Sequence, residues 1–113
     1  MENTITNYDI FNKLIGFEYD GKIINEYDGN SLYIESDNFS LKLFGRIYCR
    51  LSISYPGKWI VVENDHAFER QILLTTKSGM FIDEYVFWNF IDLFINKNYE
   101  KMFDKAECLV LLS

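Results

Sequence analysis

Residues 41–55 read LKLFGRIYCRLSISY, and their alternation decides the fold class. The odd positions are Leu41, Leu43, Gly45, Ile47, Cys49, Leu51, Ile53 and Tyr55. The even positions are Lys42, Phe44, Arg46, Tyr48, Arg50, Ser52 and Ser54. Side chains of a strand point to opposite faces with period two. One face of this run is therefore apolar, and the other carries three cations interleaved with aromatics. A sheet must form the core. Strands seldom exceed about ten residues, so the run breaks, and Gly45 is the natural place for a bulge or sharp coil. The two halves then serve two sheets, or two sides of a barrel-like sheet.

Turn signals continue the pattern on both sides. Asp20-Gly21 marks a tight hairpin between Phe17–Tyr19 and a returning strand at 22–27. Asp28-Gly29-Asn30 and Ser36-Asp37-Asn38 turn the chain twice more, enclosing Leu32 to Glu35. Pro56-Gly57 closes the long run, with proline at the second position of a turn. Trp59 to Glu63 and Phe68 to Lys77 read as further strands, the latter with Ile72, Leu74 and Thr76 on one side.

Helices flank this meander. Thr6 and Asp9 have capping-box spacing, Ile5 and Ile10 the spacing of a hydrophobic staple, and Gly16 supplies a left-handed stop. A helix over 7–15 follows, with Tyr8, Phe11, Leu14 and Ile15 on one face. Val86, Phe90 and Leu93, with Phe87, Ile91 and Phe94, predict a well-buried helix over 84–97 capped by Asp83. Tyr99 to Ala106 adds a short helix, and Cys108 to Leu112 reads as a final strand. The expectation is one α+β domain over 1–113: a mostly antiparallel twisted sheet or partly closed barrel, a short N-terminal helix, a C-terminal helix and a last strand.

Composition narrows the function. The chain of 113 residues is 49% hydrophobic and carries a formal net charge of −6. That balance argues against general nucleic-acid binding, which needs cations to displace phosphate counterions. No run of about 18 apolar residues predicts a membrane span. The polar start lacks a secretory pattern, so the cytoplasm is the expected compartment. Cys49 and Cys108 fall in apolar runs and read as buried thiols, with a disulfide between them left open.

Catalytic chemistry finds no foothold. His66, among Glu63, Asp65 and Glu69, reads as part of a solvated acidic loop, since a closed zinc site needs several His or Cys ligands. Cys49 lies on the apolar side of its strand, where burial quenches a thiolate. Asp83-Glu84 is explained by a helix start, and the glycines are scattered at turns rather than gathered in a phosphate loop. The expectation is a non-enzyme with no cofactor and no metal.

Two charge patterns remain. Residues 18–37 carry Glu18, Asp20, Glu26, Asp28, Glu35 and Asp37 against a lone Lys22. Residues 38–62 carry Lys42, Arg46, Arg50 and Lys58 and no acid. The bland expectation is that the two segments pair across the sheet. The sharper one is that either patch binds a partner.

In length, acidity, density of Tyr and Trp, and lack of a catalytic signature, the chain resembles the small acidic immunity proteins that bacteria encode beside toxins, including those of contact-dependent growth inhibition systems. The resemblance implies neutralisation of a cognate toxin, often a nuclease, in the cytoplasm. The expected mechanism is occlusion of a basic active-site cleft. Asp20, Asp28, Glu35 and Asp37 would steer the approach, and Tyr19, Tyr27, Tyr33 and Trp59 would anchor the contact. The alternative is a nucleic-acid-binding or oligomer-forming module that uses Lys42, Phe44, Arg46, Tyr48 and Arg50.

Overall fold

The computed structural model describes residues 5–65 and 72–112. Helix α1 spans Asn7–Leu14, and strands β1 (Glu18–Tyr19) and β2 (Lys22–Ile23) form a small hairpin. Then come β3 (Ser31–Glu35), β4 (Phe39–Phe44), β5 (Tyr48–Tyr55), β6 (Lys58–Asn64), β7 (Ile72–Thr75) and β8 (Gly79–Ile82). Helices α2 (Glu84–Ile95) and α3 (Tyr99–Leu112) finish the chain. Strands β3 to β8 pair in sequence order as one antiparallel sheet of six. It is an open meander, with β3 and β8 at its edges, so the barrel expectation is corrected.

The run 41–55 folds back on itself within this one sheet. Gly45 takes φ +64° in the turn that joins β4 to β5. Leu43 pairs with Cys49 and Leu41 with Leu51 across it. Each pair joins two odd positions, so the apolar phase survives the turn. The break expected at Gly45 is therefore present, as a hairpin turn that leaves the alternation unbroken. Asp20 (φ +48°) and Gly21 (φ +76°) make the expected β1–β2 turn, the second strand stopping at Ile23 rather than Tyr27.

Rows of side chains cross the sheet. Ile34, Leu41, Leu51, Val62 and Leu74 form one buried row, and Leu43, Cys49, Asn64 and Ile72 another. Against them pack Ile10 and Leu14 of α1, Phe87, Phe90, Ile91 and Phe94 of α2, and Met102, Phe103 and Ala106 of α3. Phe94 sits at the centre of an aromatic cluster, 4.9 Å from both Phe17 and Phe39 and 6.4 Å from Tyr99. All three helices thus cover the same face. The molecule is a slab of 38 × 38 × 18 Å, the thickness of one sheet and one helical layer.

Helix α1 begins with the capping box read from the sequence: Asp9 N–H donates to Thr6 Oγ1, and Thr6 N–H donates back to Asp9 Oδ2. Its buried face is shifted, however. Asn7, Ile10 and Leu14 are buried, while Tyr8 and Ile15 are exposed. Asn7 is fully enclosed, and its Nδ2 donates to the carbonyls of Phe44, Gly45 and Tyr48 at 3.2, 2.9 and 2.9 Å. Asn64 Nδ2 donates to the carbonyls of Ile5 and Ile47. Two asparagines therefore fasten the start of α1 to the β4–β5 turn.

The C-terminus corrects a second expectation. Cys108 to Leu112 continues α3 instead of returning as a strand. The buried positions Met102, Phe103 and Ala106 follow helical spacing, and that spacing carries the apolar run onward. Cys108 lies on the exposed side, so the two thiols are free, Cys49 buried and Cys108 open to solvent. The strand expected over 68–77 is described only for 72–75, and His66 and Glu69 lie outside the described residues.

Candidate functional site: the uncovered sheet face

No described element covers the second face of the sheet. Its longest row runs Tyr33, Lys42, Arg50, Glu63, Leu73 and Phe81 across all six strands. A flanking row runs Glu35, Ser40, Ser52, Val61 and Thr75. Phe44 faces Tyr48 at one end and Trp59 faces Ser54 at the other. Exposure here is high: Tyr33 58%, Phe44 60%, Trp59 49% and Phe81 51%. Isolated surface aromatics are ordinary, but four on one sheet face form a patch.

The register merges two groups that are separate in sequence. Tyr33 of the acidic segment lies directly opposite Lys42 of the basic one. Tyr33, Glu35 and Trp59 therefore share a surface with Lys42, Phe44, Tyr48 and Arg50. Leu73, Val61 and Phe81 complete it and were not picked out from the sequence, and Glu63, read there as part of a solvated acidic loop, instead belongs to β6 on this face. Their signal was present in the alternation of Trp59, Val61 and Glu63 against the buried Ile60 and Val62. Arg46 lies in the β4–β5 turn, exposed at the rim.

The remaining candidates sit elsewhere. Tyr19 is half-buried, stacked 6.4 Å from Phe17 and edge-on to Phe39. Tyr27 is half-buried, and its hydroxyl donates to the Gly45 carbonyl at 2.7 Å. Both help hold the core and the β4–β5 turn. Asp20 accepts from Ser36 Oγ at 2.9 Å. Asp28 accepts from the N–H groups of Asn30 and Ser31 at 2.7 and 3.0 Å, and these bonds hold its carboxyl below the usual range. Asp37 is exposed in the β3–β4 turn.

Electrostatics on the face are balanced. Lys42 and Arg50 lie opposite one another, an arrangement of like charges that costs stability. Glu63 faces Arg50 from the other side. Tyr48 Oη donates to Glu63 Oε2 at 3.1 Å. Burial, then that carboxylate, push the Tyr48 phenol up, while Arg50 pulls the other way. The Tyr33 hydroxyl donates to Glu35 Oε2, and that bond raises its phenol too. Among the described residues no ion pair joins the acids of 18–37 to Lys42, Arg46 or Arg50, so the expected cross-sheet charge pairing is corrected. Lys13 pairs with Asp92 at 3.6 Å and Lys58 with Glu107 at 3.0 Å, both on the helical side.

Among the described residues no group of three metal-ligating side chains occurs. Burial pushes the Cys49 thiol up to about 12, which makes it unreactive. A cleft of about 410 Å³ opens between Lys58–Ile60 and α3, with Phe103, Ala106 and Val110 on its wall and the Lys58–Glu107 pair at its mouth. No family model, curated protein or solved structure matches the chain.

Proposed function

We propose that this chain is an inhibitory protein-binding domain that seats a toxin, a nuclease foremost, on its uncovered sheet face in the cytoplasm. The supporting observation is that face itself. It exposes Tyr33, Phe44, Trp59 and Phe81 around equal numbers of cations and acids, in a chain of net charge −6. Interface cores are rich in aromatics and poor in net charge, and Trp and Tyr dominate their energetics. The excess acid lies outside the face. Asp20, Asp28 and Asp37 sit in turns at the β3 side of the sheet. Acids so placed steer a basic partner during encounter.

The test is capture of the partner by the tagged chain from its native host, followed by affinity and activity measurements. Wild type should abolish the partner's activity. Phe44→Ser and Trp59→Ser should each weaken binding at least tenfold while leaving the melting temperature unchanged. The association rate should fall steeply with salt. Capture of no toxic activity, or wild-type affinity in both variants, overturns the reading.

One arrangement favours a second reading. Lys42 and Arg50, side by side with Tyr33, Phe44 and Tyr48 around them, offer cations and stacking rings on one platform, the chemistry that holds single-stranded nucleic acid. Titration with single-stranded DNA and RNA at low salt decides this. Binding that Lys42→Glu removes supports it, and no binding by wild type removes it.

A further inference from the structure

The β3 edge of the sheet is open, and the ladder shows which backbone groups it presents. Gly45 N–H donates to the Asn30 carbonyl at 2.7 Å, and Ser36 N–H donates to the Phe39 carbonyl at 2.9 Å. These bonds bracket the β3–β4 register. In an antiparallel pair, alternate residues bond inward. Positions 30, 32, 34 and 36 therefore bond to β4, and the backbone groups of Ser31, Tyr33 and Glu35 point outward. Ser31 N–H is taken up by Asp28 Oδ1. The Tyr33 and Glu35 N–H groups and the carbonyls of all three residues meet no partner among the described residues. Such a row is a template for another strand.

Charge says which strand. Residues 23–41 hold Glu26, Asp28, Glu35 and Asp37 and no cation. A second copy would bring the same four acids to this edge, and their like charge opposes its approach. Acids on an edge strand are a known guard against self-pairing. A segment with alternate Lys or Arg meets no such repulsion and satisfies the outward amides.

We propose that β3 receives an extended, basic segment of the partner as a seventh strand, pairing through Tyr33 and Glu35. This rests on the protein-binding reading and specifies its geometry: a partner on the sheet face reaches over the β3 edge, and Tyr33 serves both, with its ring on the face and its backbone at the edge. The predicted ligand chemistry is a strand with positive side chains at every second position.

The probe is the blocked peptide Ac-TKVKVKT-amide, with Ac-TEVEVET-amide as its acidic counterpart, titrated into the full chain and followed by amide hydrogen exchange. The basic peptide should slow exchange at Tyr33 and Glu35 at least tenfold, and the acidic one should leave it unchanged. Glu35→Pro, which removes an outward N–H and no ladder bond, should bind the basic peptide at least tenfold more weakly than Glu35→Gln, which removes only the charge. Protection elsewhere on the sheet, equal protection by both peptides, or equal affinity of the two variants overturns the proposal. So does protection of these amides by self-association without peptide. Should the proline variant fail to fold, the exchange experiment on the wild type decides alone. A failed peptide test with successful toxin capture rejects the strand geometry only. Successful peptide binding without a toxin rejects the toxin reading and leaves the edge site standing.

Discussion

Asn7 Nδ2 serves three carbonyls of the β4–β5 turn from a fully buried position. Without it the Phe44 and Tyr48 carbonyls lose a donor, while Gly45 keeps the Tyr27 hydroxyl, and each enclosed acceptor left without a donor costs about 1–3 kcal/mol. Asn7→Ala should therefore destabilise the fold by about 3 kcal/mol, read as a shifted urea midpoint with unchanged slope. Nothing in the sequence marked this residue. Asparagine after a capping threonine reads as a polar helix start, and its partners lie 37 to 41 positions away. Cys49 makes the opposite case, since its place on an apolar strand face was legible by alternation, whereas Cys108, also read as buried, is exposed on α3. Native protein should give one thiol to an aromatic disulfide reagent at pH 8, from Cys108, and two after denaturation. The same burial sets a pH dependence. The folded pKa of about 12 stands above an unfolded value of roughly 8.5, so unfolding exposes a thiol that loses its proton first. The stabilising contribution is present below pH 8.5 and lost as pH rises toward 12. Cys49→Ala should flatten that alkaline decline in melting temperature.

Elements divide by how their signals travel. Local signals were legible: the Thr6–Asp9 box, the Asp20-Gly21 and Pro56-Gly57 turns, and the Asp83 cap, whose side chain accepts from Val86 N–H at 2.8 Å. Helix α2 was legible because its apolar residues recur at helical spacing. Two signals misled. The β4–β5 turn preserves the parity of the alternation, so the break expected at Gly45 read as a bulge or coil leading to a second sheet rather than as a hairpin within one. The last residues of α3 are apolar on several sides, and a continuous apolar run does not distinguish a helix end from a buried strand. The aromatic cluster that ties α2 to the β1–β2 hairpin and to β4 gives a test at this scale. Phe94 touches Phe17, Phe39 and Tyr99. Phe94→Ala should cost about 3–5 kcal/mol, measured by denaturant unfolding, whereas Tyr85→Ala, on the exposed side of the same helix, should lie within about 0.5 kcal/mol of wild type.

At the scale of the whole molecule, the lesson concerns sidedness. Alternation in each strand told which residues face each way, but not that every helix would settle on one side. That outcome depends on the long-range packing of α1, α2 and α3, and it exposes the aromatics that the sequence scattered among separate groups. The acidic and basic segments, read as balancing one another, instead lie side by side without an ion pair among the described residues. The one-sided slab also separates the two indoles. Trp88 is half-buried on α2, edge-on to Phe87, with Lys13 Nζ 5.9 Å from its ring. Trp59 stands half in water on the open face. The protein thus carries its own optical gauge of docking. Iodide should quench Trp59 selectively in the free chain. A partner seated on the sheet should shield it and move the emission to the blue, while Trp88 supplies a steady background. In Trp59→Phe the shift should vanish, and occupancy of the bare face becomes readable in unlabelled protein from the colour of a single residue.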